Sequence, residues 1–265
     1  MRKGLLFPLF IILLVVACQT VPITGRQQLH LLPANTVFSL SFDAYKEFLS
    51  EHRVVVNTRE AEMVRNVGQR MQRSVEQFFS SRNMSDRLKG YQWEFTLVED
   101  KEQNAWCMPG GKVVVYTGIL PVAQNETGLA VVMGHEIAHA VADHGNERMS
   151  QAILVEMGGV GLSAALSRYR ESSVGLVMAL YGIGTGVGVL LPYSRLQESE
   201  SDRLGLIFMA MAGFDPHAAV GFWKRMAASK QGFSPPEFLS SHPADATRIK
   251  NIEGLLPEAM GYYQK

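Results

Sequence analysis

Two histidines four residues apart, with a glutamate directly after the first, constrain this chain more than any other feature: His135-Glu136-Ile137-Ala138-His139. Around them Leu129, Val132, Ile137, Ala140 and Val141 recur at helical spacing, with Asn125 suited to cap the start and Gly145 to stop the end. On a helix, positions i and i+4 share one face about one turn apart, so both imidazoles can reach one zinc ion at about 2.0–2.1 Å. Glu136 cannot follow them onto the metal. Its carboxylate instead reaches a water on zinc, whose pKa falls to roughly 7, and can take its proton. Gly134, just before the first histidine, leaves room for close approach of backbone or metal. The bland reading is a pair of solvated helix histidines. The strongly patterned helix argues against it.

A catalytic zinc takes three protein ligands and keeps one position open, so a third ligand is due from another helix. Glu198-Ser199-Glu200-Ser201-Asp202 offers it. Glu198 and Asp202 are four apart and share a face, while Glu200 points elsewhere, to solvent or to a partner of its own. Asp202 suits the task of holding the second ring nitrogen of a ligand histidine. Spacing alone does not choose between Glu198 and Glu200 as the ligand.

The rest of the chain frames that site. Its 265 residues suit one large domain, since no linker or charge block divides them. With 47% hydrophobic residues a sizeable core can form, and 25 basic against 25 acidic side chains give no reason to expect nucleic acid. Arg2 and Lys3 precede an apolar run from Leu5 to Val16 that ends in Ala17-Cys18. Such a run is short for a membrane span and reads as a signal-peptide core. A small residue before cysteine at its end resembles a bacterial lipobox. The expected organisation is therefore a lipoprotein signal peptide over 1–17, a lipid-anchored segment over 18–38 with Cys18 acylated, and a peptidase domain over 39–265. By resemblance to bacterial sorting rules, Gln19 after the cysteine implies the outer membrane and the periplasmic face of the envelope. Only Cys18 and Cys107 exist, so an acylated Cys18 leaves no intrachain disulfide. Cys107 reads as a small buried hydrophobe.

Along the chain, residues 21–33 have no clear period and should wrap the surface. A first helix is expected near 39–51. A second carries Val64, Val67, Met71, Val75 and Phe78, with Asn57 and Glu60 as a capping box. Period two then sets in over 93–98, followed by strands over 104–108 and 113–116 around the Pro109-Gly110-Gly111 turn. This predicts a small antiparallel sheet before the zinc helix. Later helices should open at Asp215-Pro216 and at Pro243. Residues 174–192 carry no charge and read as a buried glycine-rich helix pair, or else as a segment that dips into a membrane.

These motifs together resemble the metallopeptidase family of the CAAX prenyl endoproteases, the heat-shock membrane protease HtpX and the mitochondrial Oma-type protease, and within it the bacterial lipoprotein branch similar to BepA and LoiP. The likeness covers roughly residues 60–255. It rests on the histidine motif, on Glu198 to Gly205, on Gly213 to Pro216, on Asn104 to Gly111, and on His242-Pro243 with Arg248. Ser201 departs from it, standing where alanine is commoner. The resemblance implies an α+β, mainly helical fold of the thermolysin-like gluzincin type with the sheet beside the zinc helix. It implies Glu198 as the third ligand of one Zn2+ per subunit, with Asp202 behind it. It also implies a substrate strand along Asn104, Ala105, Gly110 and Gly111. His242 is implied either to block the water site or to stabilise an oxyanion, for which Tyr193 is the alternative. Arg248 either pairs with a carboxylate near the site or is a solvated helix residue. His144 lies one residue off the zinc-binding face and reads as structural. The function implied is a zinc metalloendopeptidase acting in quality control of misfolded or unassembled envelope proteins. The alternatives are a chaperone-like assembly factor with little turnover and a non-peptidase zinc hydrolase.

Overall fold

A computed structural model describes residues 18–157, 194–229, 238–239 and 242–263. The proposed signal peptide, residues 174–192 and Tyr193 lie outside the described residues. Among those described, no helix is long and apolar enough to cross a membrane.

The chain opens with two short antiparallel strands, β1 (Cys18–Thr20) and β2 (Gln27–Leu29). Far from merely wrapping the surface, this segment buries Val21 and Gln28. Helix α1 (Ala34–Glu51) begins five residues earlier than periodicity predicts, because the Pro33 carbonyl already accepts from the Thr36 and Val37 amides. After β3 (Val54–Val55) comes α2 (Arg59–Ser80). Its cap is Thr58, whose side chain accepts from the Ala61 amide. Asn57 has φ +57° and supplies the turn before the cap, so the predicted capping box does not form. Val64, Val67, Met71, Val75 and Phe78 all point into the core.

Three further strands follow: β4 (Glu94–Val98), β5 (Ala105–Met108) and β6 (Lys112–Tyr116). The sheet order is β3-β4-β6-β5. The predicted antiparallel sheet is corrected to a mixed one. β5 and β6 form a hairpin, but β6 then lies parallel to β4, Phe95 opposite Val113. The turn between them works because Gly110 and Gly111 both take positive φ, +85° and +86°. A Cβ at Gly110 would also sit 2.5 Å from the Phe42 ring. β5 thereby becomes an edge of the sheet.

A short helix α3 (Leu120–Ala123) leads into α4 (Glu126–Val141), capped by the Asn125 side chain on the Gly128 amide. Every residue of α4 from Gly128 onward is buried. A helix enclosed on all sides is core, and each fully buried Leu, Val or Ile contributes about 1.5–3 kcal/mol. That burial holds the polar residues of the histidine motif inside the molecule. Gly145 is not the stop. Asp143 takes φ +59° and ends α4 after Val141, and α5 (His144–Met157) starts at once. Helices α6 (Arg195–Met211), α7 (Ala218–Ala228) and α8 (Ala246–Met260) complete the described fold. α6 opens with a Ser194–Gln197 capping box. α7 starts after His217, with the Asp215 carboxylate accepting from the His217 amide, two residues later than Asp-Pro spacing suggests. α8 is capped by Asp245, not opened by Pro243.

Candidate metal centre

Helix α4 presents His135 and His139, and α6, packed against it, presents Glu198. A loop before α8 adds His242. The ligand-capable atoms of these four residues lie within 4.8 Å of one another, and all four residues are buried. His135 Nε2 is 3.1 Å from His139 Nε2 and 3.1 Å from His242 Nδ1. Glu198 Oε1 is 3.2 Å from His139 Nε2 and 2.8 Å from His242 Nδ1.

These spacings test whether a zinc ion fits. Tetrahedral bonds of about 2.0–2.1 Å place neighbouring ligand atoms roughly 3.3 Å apart. The observed separations fall close to that edge. Three imidazole nitrogens and a carboxylate oxygen pointing at one spot is a poor hydrogen-bonding arrangement and a good donor set for zinc. Two oxygens beside it have no hydrogen-bond partner although buried, Glu136 Oε1 and Glu198 Oε2. Glu198 Oε2 does lie 2.6 Å from Arg248 Nη1. That is a charge contact lacking the alignment of a hydrogen bond, so a lone pair stays unused. The set suits zinc, which takes nitrogen and oxygen ligands of this kind.

Behind the donors, each ligand histidine is held at its other nitrogen. His135 Nδ1 faces Asp202 Oδ1 at 3.1 Å. Arg248 grips Asp202 with two hydrogen bonds, Nε to Oδ2 at 2.9 Å and Nη2 to Oδ1 at 2.8 Å, and its guanidinium lies 3.6 Å over the Trp223 ring. Of the two readings of Arg248, the structure therefore has the paired one, with the side chain buried. His139 Nδ1 faces His144 Nδ1 at 3.0 Å, and His144 Nε2 faces Glu200 Oε2 at 3.1 Å. His144 is thus part of the site. It reads as off the zinc-binding face only if the helix runs on, and the left-handed residue Asp143 breaks the helix and turns the ring back. Glu200 is paired rather than solvated.

Burial and charge tune these groups. Burial pushes Glu136 up to about 7, although His242 and Arg248 pull the other way. Burial holds His139 well below its ordinary value, so it stays neutral with a lone pair to give. Burial opposes ionisation of Glu198 too, but His242, Arg248 and His135 together hold it well below the usual carboxylate range. Asp202 is lowered likewise, burial being outweighed by Arg248 and His135. His242 Nε2 lies 3.5 Å from Glu136 Oε1.

The remaining predicted site residues are not among the four donors. Ala105 begins β5, and Asn104, directly before it, accepts the Ala105 amide on its side chain and the Tyr116 amide on its carbonyl. Gly110 and Gly111 shape the hairpin turn. Cys18 is exposed at the start of β1, and Cys107 is buried. Sequence reasoning missed Arg26, Trp223 and the part played by His144 and Glu200. Arg26 and Trp223 have no local spacing signal because each reaches the site from a distant segment, whereas His144 and Glu200 lie close by in sequence and are brought in by the break at Asp143 and by the second face of α6.

The chain matches Peptidase family M48 over residues 66–256. It shares 35% identity with the mitochondrial metalloendopeptidase OMA1 of Schizosaccharomyces pombe, over 90% of this chain and 66% of that protein. It shares 29% with the mitochondrial metalloendopeptidase OMA1 of Bos taurus, over 95% of this chain and 48% of that protein. The beta-barrel assembly-enhancing protease of Escherichia coli is 29% identical over 59% of this chain and 33% of its own length. The chain thus spans about half to two thirds of the length of these mitochondrial relatives. The expectation of a periplasmic, outer-membrane lipoprotein of the bacterial envelope is corrected by these relatives. The proteins matched at 35% are mitochondrial, and the bacterial proteases match at 29%. The physical ground for the envelope was thin, an apolar run and one cysteine, neither of which specifies a compartment. With a zinc-fitting donor set on the His-Glu-x-x-His helix and a match across most of its length, the chain belongs to peptidase family M48.

Proposed function

We propose that this chain is a zinc metalloendopeptidase that cleaves protein or peptide substrates, with His135, His139 and Glu198 as the ligands, a gluzincin-type set, and Glu136 as the general base. The observation that carries this reading is Glu136 Oε1, buried beside the donor set without a hydrogen-bond partner. A site that only held a structural metal has no use for an ionisable oxygen left open there. Held by His135, His139 and Glu198, zinc would supply Lewis acidity toward a carbonyl and lower the pKa of water. Glu136 takes the proton of the attacking water at Oε1 and returns it to the leaving amine. A pKa raised to about 7 lets one carboxyl do both near neutral pH. Asp202 and His144 keep His135 and His139 turned toward the metal. β5 offers its edge, from Asn104 to the Gly110-Gly111 turn, to an extended substrate chain by strand addition.

His242 sits among the donors, so the described arrangement is a latent one. Its ring has to withdraw before a substrate carbonyl can enter, and it is then placed to donate to a developing oxyanion. A role in the quality control of misfolded or unassembled proteins is in keeping with the beta-barrel assembly-enhancing proteases among its relatives.

The test is cleavage of casein by the full chain and by Glu136→Gln, with zinc content measured in both. Cleavage by the first alone, at equal zinc content, supports the proposal. Equal cleavage by both removes Glu136 from the mechanism. Zinc binding without cleavage by wild type or by His242→Ala favours an assembly factor with little turnover.

A further inference from the structure

Arg26 lies 40 residues ahead of the stretch that matches the family, yet it reaches into the support of the metal centre. Its guanidinium is shared between two buried carboxylates. Nη1 and Nη2 donate to Glu147 Oε1 and Oε2 at 2.6 and 2.8 Å, and Nε donates to both oxygens of Glu200 at 3.0 Å. Thr24 Oγ1 adds a hydrogen bond to Glu200 Oε1 at 2.7 Å. The strand pair that carries these residues is itself pinned, with Gln28 Nε2 donating to the Ala142 carbonyl at 2.7 Å at the end of α4.

From Glu200 the contacts run inward without a gap, through His144 Nε2 and His144 Nδ1 to His139 Nδ1. Chemistry fixes the direction of every proton along them. When His139 gives its Nε2 lone pair to a metal, its proton sits on Nδ1 and is donated to His144 Nδ1. His144 must then carry its own proton on Nε2 and donate it to Glu200. Glu200 has to present Oε2 to that N–H, and Thr24 on Oε1 with Arg26 on both oxygens fixes the carboxylate that does so. An arginine is needed here, because one rigid fork bonds two carboxylates at once and an ammonium has no such geometry.

We infer that Arg26 is a positioning residue of the metal centre, acting on His139 through Glu200 and His144, so that the segment before the family-matched region completes the site. The inference rests on the zinc site proposed above. Outer partners of metal-ligating histidines typically change metal affinity about 10–100-fold. Arg26 stands two residues further out than His144, the direct partner of His139, which places its effect near the lower end.

The experiment measures zinc affinity of the full chain by competition with a chromogenic chelator, alongside urea unfolding of the metal-free form. Arg26→Gln should weaken zinc binding about tenfold, and His144→Ala and Glu200→Gln by at least as much. Arg26→Gln added to Glu200→Gln should cost nothing more, since both act on one line. Glu147→Gln, which leaves the Arg26–Glu200 contact intact, should stay within about twofold of wild type. If Arg26→Gln does not fold, Arg26→Lys replaces it. That variant keeps the charge and loses the fork, and a several-fold weakening is again expected. Unchanged zinc affinity with lowered stability would make Arg26 a strap only and overturn the inference. Full additivity of Arg26→Gln and Glu200→Gln would overturn it too. A wild-type chain that binds no zinc would overturn the metal site itself, an outcome separate from the other two.

Discussion

Gly134 and Gly205 meet backbone to backbone where α4 crosses α6. A Cβ on Gly205 would stand 2.9 Å from the Gly134 carbonyl carbon and 2.9 Å from the His135 amide nitrogen. The contact sits immediately before His135 on one helix and, on the other, just after Asp202. The distance between the two helices, and with it the spacing of the donors, is set by two missing side chains. Gly205→Ala should therefore destabilise. Alanine favours a helix over glycine by about 1 kcal/mol, but wedging a methyl against backbone that cannot rotate away costs about 1–3 kcal/mol. Urea unfolding should show a net loss, and chelator competition a weaker hold on zinc. Gly254 in α8, with nothing within 4 Å of a built Cβ, is the control of opposite sign. Gly254→Ala should gain up to about 1 kcal/mol. A stabilised Gly205→Ala would refute the close-approach argument.

Arg248 is the cation that the acidic half of the site cannot do without. It is buried against Asp202 and Glu198. Removing one partner of such a group leaves buried charge uncompensated, at a cost of about 3–5 kcal/mol. Arg248→Ala should show a loss of that order in urea unfolding of the metal-free form. Arg248→Lys should recover only part of it, since an ammonium neither forks onto Asp202 nor stacks flat on Trp223. Full recovery by lysine would mean that charge alone matters there.

Asp143 predicts a pH effect. Burial raises its pKa from 3.8 to about 6, with Arg87 opposing. In the unfolded chain it ionises near its ordinary value, so between about pH 4 and pH 6 the folded state binds the proton more tightly. Stability from this group is present below that window and is lost as pH rises through it, by at most about 3 kcal/mol. Asp143→Asn keeps a residue that tolerates the left-handed backbone and removes the titration. The stability of wild type relative to this variant should fall from pH 4 to pH 6 and stay level above. A difference constant across that range would rule the effect out.

His242 should restrain the enzyme. His242→Ala removes a ring nitrogen lying 2.8 Å from Glu198 Oε1 and 3.1 Å from His135 Nε2, and opens the approach to Glu136. Casein cleavage should start faster in the variant at equal zinc content. If oxyanion stabilisation dominates instead, kcat falls about 10²–10³-fold, as when other oxyanion donors are removed. Cleavage unchanged in either direction would leave His242 without a role.

Local spacing made part of this site legible. The i, i+4 pairs His135/His139 and Glu198/Asp202 each declare a shared helical face, and Gly110-Gly111 declares a tight turn. What stayed hidden needs the third dimension. No period announces that β6 will insert beside β4 in parallel, because that pairing depends on a connection and not on a stripe. Glycine is the usual left-handed residue and within Asp143 to Gly145 points to Gly145 as the helix stop, yet Asp143 takes that conformation. The misplaced stop then hid His144, which a continuous helix would carry away from His139. Arg26 and Trp223 touch the supporting residues across long stretches of chain, and no local pattern in a single sequence encodes such a meeting.

The bond between α8 and the donor helices also has a consequence in time. Arg248 lies 113 residues beyond His135 along the chain. Proteins fold from the N-terminal side as they are synthesised, at about 5–20 residues per second. The histidine motif therefore emerges several seconds before the arginine that balances Asp202 and Glu198. Until then Asp202 and Glu198 lack the cation that pairs with both of them in the folded chain. The support of the centre is thus completed only once α8 has been made, long after the helix that carries the two histidines.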